Sequence, residues 1–194
     1  MNTPQQTAKF FQFWVDACAQ RHNILLQDWT NYRAFTSHVL TEPDPIIKAV
    51  ATSLDLQWYS GYYHIDAILF RDADRVPDAP AGTTWVRRIR VAFEHENNFD
   101  SGLFQEVSHL LITDCDLRVV VSYPNNPDEL ASQLKYLYSI IADTDRSDQI
   151  AETGAFLFIA GRRDITEHTI EWSGYVYERT EWRKLWSYVV APTT

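Results

Sequence analysis

Residues 86–97 read VRRIRVAFEHEN, and this stretch decides the fold because it combines a buried strand with two carboxylates. Val91, Ala92 and Phe93 form an apolar run of the kind that a sheet buries, and the two-residue period of a strand places Glu94 and Glu96 on one face. Two like charges at the end of a buried strand are costly unless a cation or hydrogen-bond donors compensate them. The segment therefore predicts a functional carboxylate pair, most simply a metal site. The alternative is a strand that has left the core and carries two solvated glutamates.

The composition predicts a folded globular protein. The chain has 194 residues, of which 45% are hydrophobic and 14% aromatic, enough for one domain with its own core. We expect a single domain over 1–194, with N-terminal helices in 1–43 and an α/β core in 44–194.

The same sequence contains no feature of membrane insertion or secretion. No apolar run approaches the roughly 20 residues that span a bilayer, and residues 1–6 show no basic region followed by an apolar stretch. Cys18 and Cys115 lie far apart in the sequence, which suits reduced thiols. These observations favour a cytoplasmic protein that does not associate with membranes.

The net charge of −9 and the isoelectric point near 5.0 argue against a large non-specific nucleic-acid surface, because phosphate binding relies on Lys and Arg. A local basic groove is compatible with this charge. Arg87, Arg88 and Arg90 lead directly into the carboxylate pair, although scattered surface cations are the alternative interpretation.

The hydrophobic periodicity changes from helical to strand-like near residue 57. We predict a mixed central sheet flanked by helices, an α/β fold in which the unit 86–123 forms a right-handed parallel crossover. The turn before the crossover helix, 97–102, offers Asp100 or Ser101 as a helix cap. The predicted helices are 9–19, 28–40, one that begins at Pro45 with Asp44 as its cap, 103–113, and one that begins at Asp128. The predicted strands are 57–59 and 62–70, joined by a turn at Ser60-Gly61, then 84–96, 117–123, 155–160 and 169–177, with a polar loop at 143–153.

A third acid interrupts an apolar strand upstream. Asp66 lies in HIDAILF, residues 64–70, where an aspartate is unfavourable for both β-structure and burial. If this strand pairs with the long strand, Asp66 can lie beside Glu94 and Glu96. Three carboxylates at strand ends form an oxygen-ligand site suited to Mg²⁺ or Mn²⁺. The alternatives are an edge-strand position or a hydrogen bond to nearby backbone.

Three segments together resemble the PD-(D/E)XK nuclease-like superfamily: HIDAILF at 64–70, VAFEHEN at 91–97 and LRVVVSYP at 117–124. The resemblance covers roughly residues 44–123 and implies a restriction endonuclease-like core. In that superfamily an Asp stands on the second core strand, which Asp66 matches, and an (Asp/Glu)-x-Lys on the third, where Glu94 matches the acid. Glu96 stands where the lysine usually does, as it does in some restriction endonucleases of the superfamily.

The resemblance implies hydrolysis of a phosphodiester in nucleic acid. Asp66 and Glu94 would bind one or two Mg²⁺ or Mn²⁺ ions, and Glu96 would orient the attacking water or act as a third carboxylate ligand. Gln105 or Glu106 would supply a supporting polar group from the next helix, and His64 would be a weaker supporting residue. By the two-residue period, His95 faces the other side of the sheet and is expected to be a packed histidine.

A second hypothesis belongs to a different class of protein: a catalytically inactive nuclease-like domain that binds a protein or scaffolds a complex, which the acidic charge also suits. The aromatic residues that crowd the C-terminal part are either core or the surface of a homodimer. They are Trp172, Tyr175, Tyr177, Trp182, Trp186 and Tyr188.

Overall fold

The computed structural model describes residues 3–97 and 103–191, so the predicted cap at Asp100 or Ser101 lies outside the described residues. The helices are α1 (Thr3–Ala19), α2 (His22–Gln27), α3 (Tyr32–Thr36), α4 (Ile46–Ser53), α5 (Leu103–Ile112), α6 (Pro127–Ala142) and α7 (Ser147–Thr153). A π-helical turn, Ser37–Thr41, continues α3. The strands are β1 (Gln57–Tyr62), β2 (Ile65–Phe70), β3 (Ile89–Glu96), β4 (Cys115–Ser122), β5 (Phe156–Asp164), β6 (Thr169–Tyr177) and β7 (Trp182–Val190).

These strands form one open sheet in chain order, from β1 at one edge to β7 at the other. The pairs β3–β4 and β4–β5 are parallel, and the other neighbouring pairs are antiparallel. Helix α5 connects β3 to β4, which confirms the predicted parallel pairing within 86–123. The fold is therefore α/β with a mixed central sheet, as the change of periodicity predicted.

Helices cover both faces of the sheet. One face carries Val91 and Phe93 of β3 and packs against Phe10 and Trp14 of α1. The other face carries Ala92, which belongs to the core beneath α5, α6 and α7. Burial on both faces explains why β3, β4 and β5 contain nearly continuous apolar runs rather than alternating patterns.

The hairpin turn lies three residues later than the sequence predicted. Strand β1 extends to Tyr62, which pairs with Ile65, so Tyr63 and His64 form the turn instead of Ser60 and Gly61. Tyr63 adopts a positive φ of 56° and is 73% exposed. The preference of Ser60 and Gly61 for a turn was therefore outweighed by the additional backbone pairing that the longer β1 gains.

The predicted strand 84–96 is wrong in its first half, since β3 begins only at Ile89. Residue Ile89 pairs with Cys115, the first residue of β4, and on the other side Leu69 of β2 pairs with Val91. Among the described residues, the segment before Ile89 has no neighbouring strand on either side. Around Val86 it forms one isolated bridge to Arg75 and backbone hydrogen bonds with residues 74–76, a pairing too short to extend β3.

Other boundaries also differ from the prediction. The polar segment 143–153 contains α7, and α2 and β7 were not predicted. Strand β7 lies at the sheet edge, where exposed positions weaken its hydrophobic period. Asp44 does not cap α4: Pro45 holds the N-cap position, and Asp44 instead forms an ion pair with Lys48 at 2.6 Å.

Among the residues described here, no helix combines the length and the apolar character needed to cross a membrane. Both cysteines are free thiols, as expected: Cys18 is buried and Cys115 half-buried.

A close approach between β5 and β6 allows a direct test of this packing. A Cβ added at Gly161 would lie 2.6 Å from Cζ3 of Trp172, whose side chain is fully buried. We expect Gly161→Ala to lower the free energy of unfolding by about 1–3 kcal/mol, measured by urea denaturation. Trp172→Phe replaces the indole, whose six-membered ring the new methyl group meets, by a smaller side chain. The losses of stability caused by the two substitutions should therefore be less than additive. Strict additivity would contradict the contact.

Candidate metal centre

Two carboxylates continue the hydrogen bonding between β2 and β3 beyond the last backbone pair. Beyond the last backbone pair, Ala67 with Phe93, the amide of Asp66 donates to Oε2 of Glu94 at 3.0 Å. The amide of His95 donates to Oδ2 of Asp66 at 2.9 Å. Asp66 and Glu94 therefore meet at one end of the paired strands. By the strand period both share the face of Ile68 and Ala92, which lies under α5.

Helix α5 adds two further polar side chains to this point. Glu106 and His109 lie three residues apart and therefore on one side of the helix. Nδ1 of His109 is 3.6 Å from Oε1 of Glu94 and 3.6 Å from Oε2 of Glu106. The three potential ligand atoms of Glu94, Glu106 and His109 lie within 4.8 Å of one another. We call these three residues the acidic–histidine cluster.

The centre of the cluster is buried and incompletely hydrogen-bonded. Glu94 is 0% exposed. Its Oε1 and the Nδ1 of His109 have no hydrogen-bond partner within the described ranges 3–97 and 103–191. Because a buried polar atom without a partner loses its hydration and gains nothing in return, the arrangement favours a bound cation that both atoms could contact.

The surroundings oppose ionisation of the two strand carboxylates. Burial raises the pKa of Glu94 well above its ordinary value, and the charges of Glu106 and Asp66 raise it further. Burial also raises the pKa of Asp66 to about 6, although the hydrogen bond from His95 opposes the shift. Without a cation Glu94 retains its proton at neutral pH, and a divalent ion would compensate the negative charge of the ionised site in its place.

The donor set fits a divalent metal ion. Carboxylate and imidazole ligands bind at about 2.0–2.2 Å, so atoms 3.6 Å apart can share one ion. Carboxylates suit Mg²⁺ and Mn²⁺, whereas an imidazole nitrogen favours transition metals over Mg²⁺. The sequence prediction assigned the metal to Asp66 and Glu94. The structure places Asp66 beside the cluster, with one of its carboxylate oxygens engaged by His95.

The remaining predicted residues occupy distinct places around the cluster. Glu96, the last residue of β3, is half-buried, and its charge raises the pKa of Asp66. His64 is exposed in the β1–β2 turn, and its ring stacks on that of His109 at a centroid distance of 5.8 Å. Of the two candidates on α5, Glu106 faces the cluster, whereas Gln105 is exposed.

His95 points away from this site, as the two-residue period predicted. Its Nε2 lies 2.7 Å from the hydroxyl of Tyr123, and its ring stacks on Phe35 on the other face of the sheet. Burial lowers the pKa of His95 to about 3. It is a packed, neutral histidine.

His109 was missed by the sequence analysis. The spacing Glu106-x-x-His109 places both side chains on one helix face, and this spacing was the available indication. This spacing indicates a site only when the position of α5 across the end of β3 is known.

The arginines that precede the carboxylates do not reach the cluster. Arg90 forms ion pairs with Asp74 at 2.6 Å and Asp116 at 3.1 Å, and Arg88 pairs with Asp116 at 2.7 Å. These groups lie at the start of β3, and its rise of about 3.3 Å per residue puts Arg90 roughly 13 Å and Arg88 roughly 20 Å along the strand from Glu94. They stabilise the opposite end of the sheet.

The C-terminal aromatic residues are mostly core. Trp172, Tyr175 and Tyr177 are buried, and Trp182 and Trp186 pack against the two cores. Tyr188 is 48% exposed on the edge strand β7. The predicted homodimer through this region stays a prediction, and most of the side chains that suggested it are engaged within the chain.

No family model matches this sequence, and no curated protein was found to be similar to it.

The imidazole of His109 leads to a prediction about metal preference. Mn²⁺ at about 100 times its dissociation constant should stabilise the fold by about 2.7 kcal/mol, a rise in melting temperature of about 5–10 °C for a chain of this size. Mg²⁺ at the same concentration should raise it less, because Mg²⁺ binds imidazole poorly. Differential scanning fluorimetry measures both shifts. Equal shifts for the two ions, or a full Mn²⁺ shift in His109→Ala, would contradict ligation by His109.

Proposed function

We propose that this protein is a metal-dependent phosphodiesterase that hydrolyses nucleic acid. One observation carries the proposal: the fully buried carboxylate of Glu94 lies within metal-ligand reach of Glu106 and His109 and beside Asp66. Buried carboxylates with raised pKa values cluster at functional sites.

The order of elements supports the proposal. Asp66 lies on the second strand of the sheet and Glu94 on the third, and α5 then leads to the parallel strand β4. This arrangement agrees with what the resemblance to PD-(D/E)XK nucleases implies for the first and second acids. Glu96 occupies the position of the usual lysine.

The side chains would divide the work as follows. Glu94, Glu106 and His109 would hold a Mn²⁺ or Mg²⁺ ion, with Asp66 as a further carboxylate. When bound, such an ion polarises a phosphate and lowers the pKa of a water molecule. Glu96, half-buried at the strand end, would accept the proton of the attacking water. His64 would keep the ring of His109 oriented through the stacking contact between them.

A cleavage assay tests this proposal against the inactive-scaffold alternative. Single- and double-stranded DNA and RNA are incubated with the protein in Mn²⁺, in Mg²⁺ and in EDTA. We expect cleavage of at least one substrate in Mn²⁺ and none in EDTA. If no substrate is cleaved while Mn²⁺ still raises the melting temperature, the metal site is not hydrolytic toward nucleic acid. The absence of both effects would favour the scaffold.

A further inference from the structure

A polar cavity opens at the same end of the sheet as the acidic–histidine cluster. It has a volume of about 520 Å³ and is bounded by the segment from Trp29 to Phe35 on one side and by α6 on the other. At its base lies Ser122, the last residue of β4, which pairs with Glu96 of β3. Glu94 lies two residues before Glu96 on β3, and neighbouring strands are about 4.8 Å apart, so the Cα atoms of Ser122 and Glu94 are about 8 Å apart. The base of the cavity is thus close to the strand position that carries Glu94.

One wall of the cavity is aromatic. Trp29, Phe35 and Tyr123 pack edge to face, with ring centroids 5.0–5.4 Å apart. Tyr32 also lines the cavity and is 59% exposed. The exposed ring of Tyr32 is the kind of flat aromatic surface on which a nucleobase stacks, whereas Phe35 is buried among its neighbours.

The opposite wall contains a buried hydrogen-bond acceptor without a partner. Gln133 is 0% exposed, and its Nε2 donates to Oε1 of Glu129 at 3.3 Å, which fixes the orientation of the amide. Its Oε1 has no hydrogen-bond partner among the residues that the structure describes. A ligand that presents an N–H group would satisfy this oxygen.

The charge of the lining residues determines whether the base or the phosphate of a nucleotide can enter the cavity. Glu129 is the one charged residue that lines the cavity within the described chain, and no Lys or Arg does so there. Its carboxylate already accepts from the backbone and side-chain amides of Asn125. The cavity therefore repels a phosphate and accepts a neutral, planar group with hydrogen-bonding edges.

We propose that this cavity binds the base of a nucleotide whose phosphate lies at the metal centre. This inference rests on the proposed function, because it takes nucleic acid as the substrate, and it narrows the class of nucleic acid that can bind. A base that remains stacked in a duplex cannot enter a cavity walled on two sides. The substrate is therefore single-stranded or locally unpaired nucleic acid.

The test uses uncharged nucleosides, because they carry no phosphodiester to cleave and need no metal. Binding of adenosine, guanosine, cytidine and uridine to the full chain is measured by calorimetry in EDTA, with ribose and inorganic phosphate as comparators. We expect saturable binding of at least one nucleoside with a dissociation constant on the order of 1 mM or lower, and none of ribose or phosphate. Gln133→Leu and Tyr32→Ala should each weaken binding about tenfold. Gln149→Leu, an exposed glutamine on α7, should leave it unchanged.

The outcomes separate this inference from the proposed function. If nucleic acid is cleaved in Mn²⁺ but no nucleoside binds, the base site is overturned and the nuclease stands. If nucleosides bind with the expected response to Gln133→Leu but nothing is cleaved, the base site stands without the nuclease. Equal binding of ribose and nucleosides would overturn the inference. Nucleoside binding that neither Gln133→Leu nor Tyr32→Ala weakens would place the base elsewhere and overturn it too.

Discussion

Glu94→Ala is expected to lower metal-dependent cleavage by about 10³-fold. The residue contributes the buried carboxylate of the cluster, with one oxygen held by the amide of Asp66 and the other near His109. Glu94 is the one member of the acidic–histidine cluster that lies on β3, so its removal leaves only the two ligands from α5. Because a bound metal contributes several kcal/mol of transition-state stabilisation and each 1.36 kcal/mol is tenfold in rate, loss of the ion accounts for a decrease of this size.

The control is Glu152→Ala, which removes an exposed glutamate of α7 and should leave the rate unchanged. Both variants are compared as initial rates in Mn²⁺ on the best substrate. Circular dichroism spectra establish that Glu94→Ala is folded. A folded Glu94→Ala protein that retains the wild-type rate would show that the activity arises elsewhere.

Glu94→Gln is expected to stabilise the metal-free protein at neutral pH by up to about 3 kcal/mol. Glutamine resembles a protonated glutamate in shape but cannot ionise. In the wild type, burial raises the pKa of Glu94 above its ordinary value of 4.5. Folding at pH 7 therefore takes up a proton, which costs about 1.4 kcal/mol for each unit of separation between the pH and the unfolded-state pKa.

The pH dependence follows from the direction of these shifts. A carboxyl group whose pKa is higher in the folded protein than in the unfolded chain stabilises the fold fully below the unfolded pKa, and this contribution is lost as pH rises through the folded pKa. Asp66, with its pKa raised from 3.8 to about 6, accounts for a loss of about 3 kcal/mol between roughly pH 4 and pH 6. Glu94 extends the loss to higher pH.

Urea denaturation in EDTA at pH 4, 5.5 and 7 measures the difference between the variant and the wild type. The two proteins should be nearly equally stable at pH 4, and Glu94→Gln should become the more stable as pH rises. Saturating Mn²⁺ should reverse this order at pH 7, since only the wild type keeps the full set of ligands. A stability difference that does not change with pH would contradict the raised pKa of Glu94.

The sequence by itself determined the central strand and the face on which its acids lie. The alternation through Val91-Ala92-Phe93-Glu94 is a local property of an extended backbone. It therefore put Glu94 and His95 on opposite faces of the sheet without knowledge of any other element, and the structure then covers the first face with α5 and packs His95 against Tyr123 on the second. The parallel arrangement of β3 and β4 also followed from local patterns, because a strand, a helix and a strand of these lengths have few alternatives.

Only the tertiary structure decided which residues meet. Whether Gln105, Glu106 or His109 faces Glu94 depends on the rotation of α5 about its axis, which is set by burial of Leu103, Val107 and Leu110 against the sheet. The cavity beside the cluster depends on α3 and α6, which approach the end of β4 from opposite faces and lie far apart in the sequence. Residues 84–88 look like a strand, but in the described part of the chain they pair with no strand and form only an isolated bridge from Val86 to Arg75. Long-range packing determined these contacts, because no local sequence pattern specifies how one element is positioned against another.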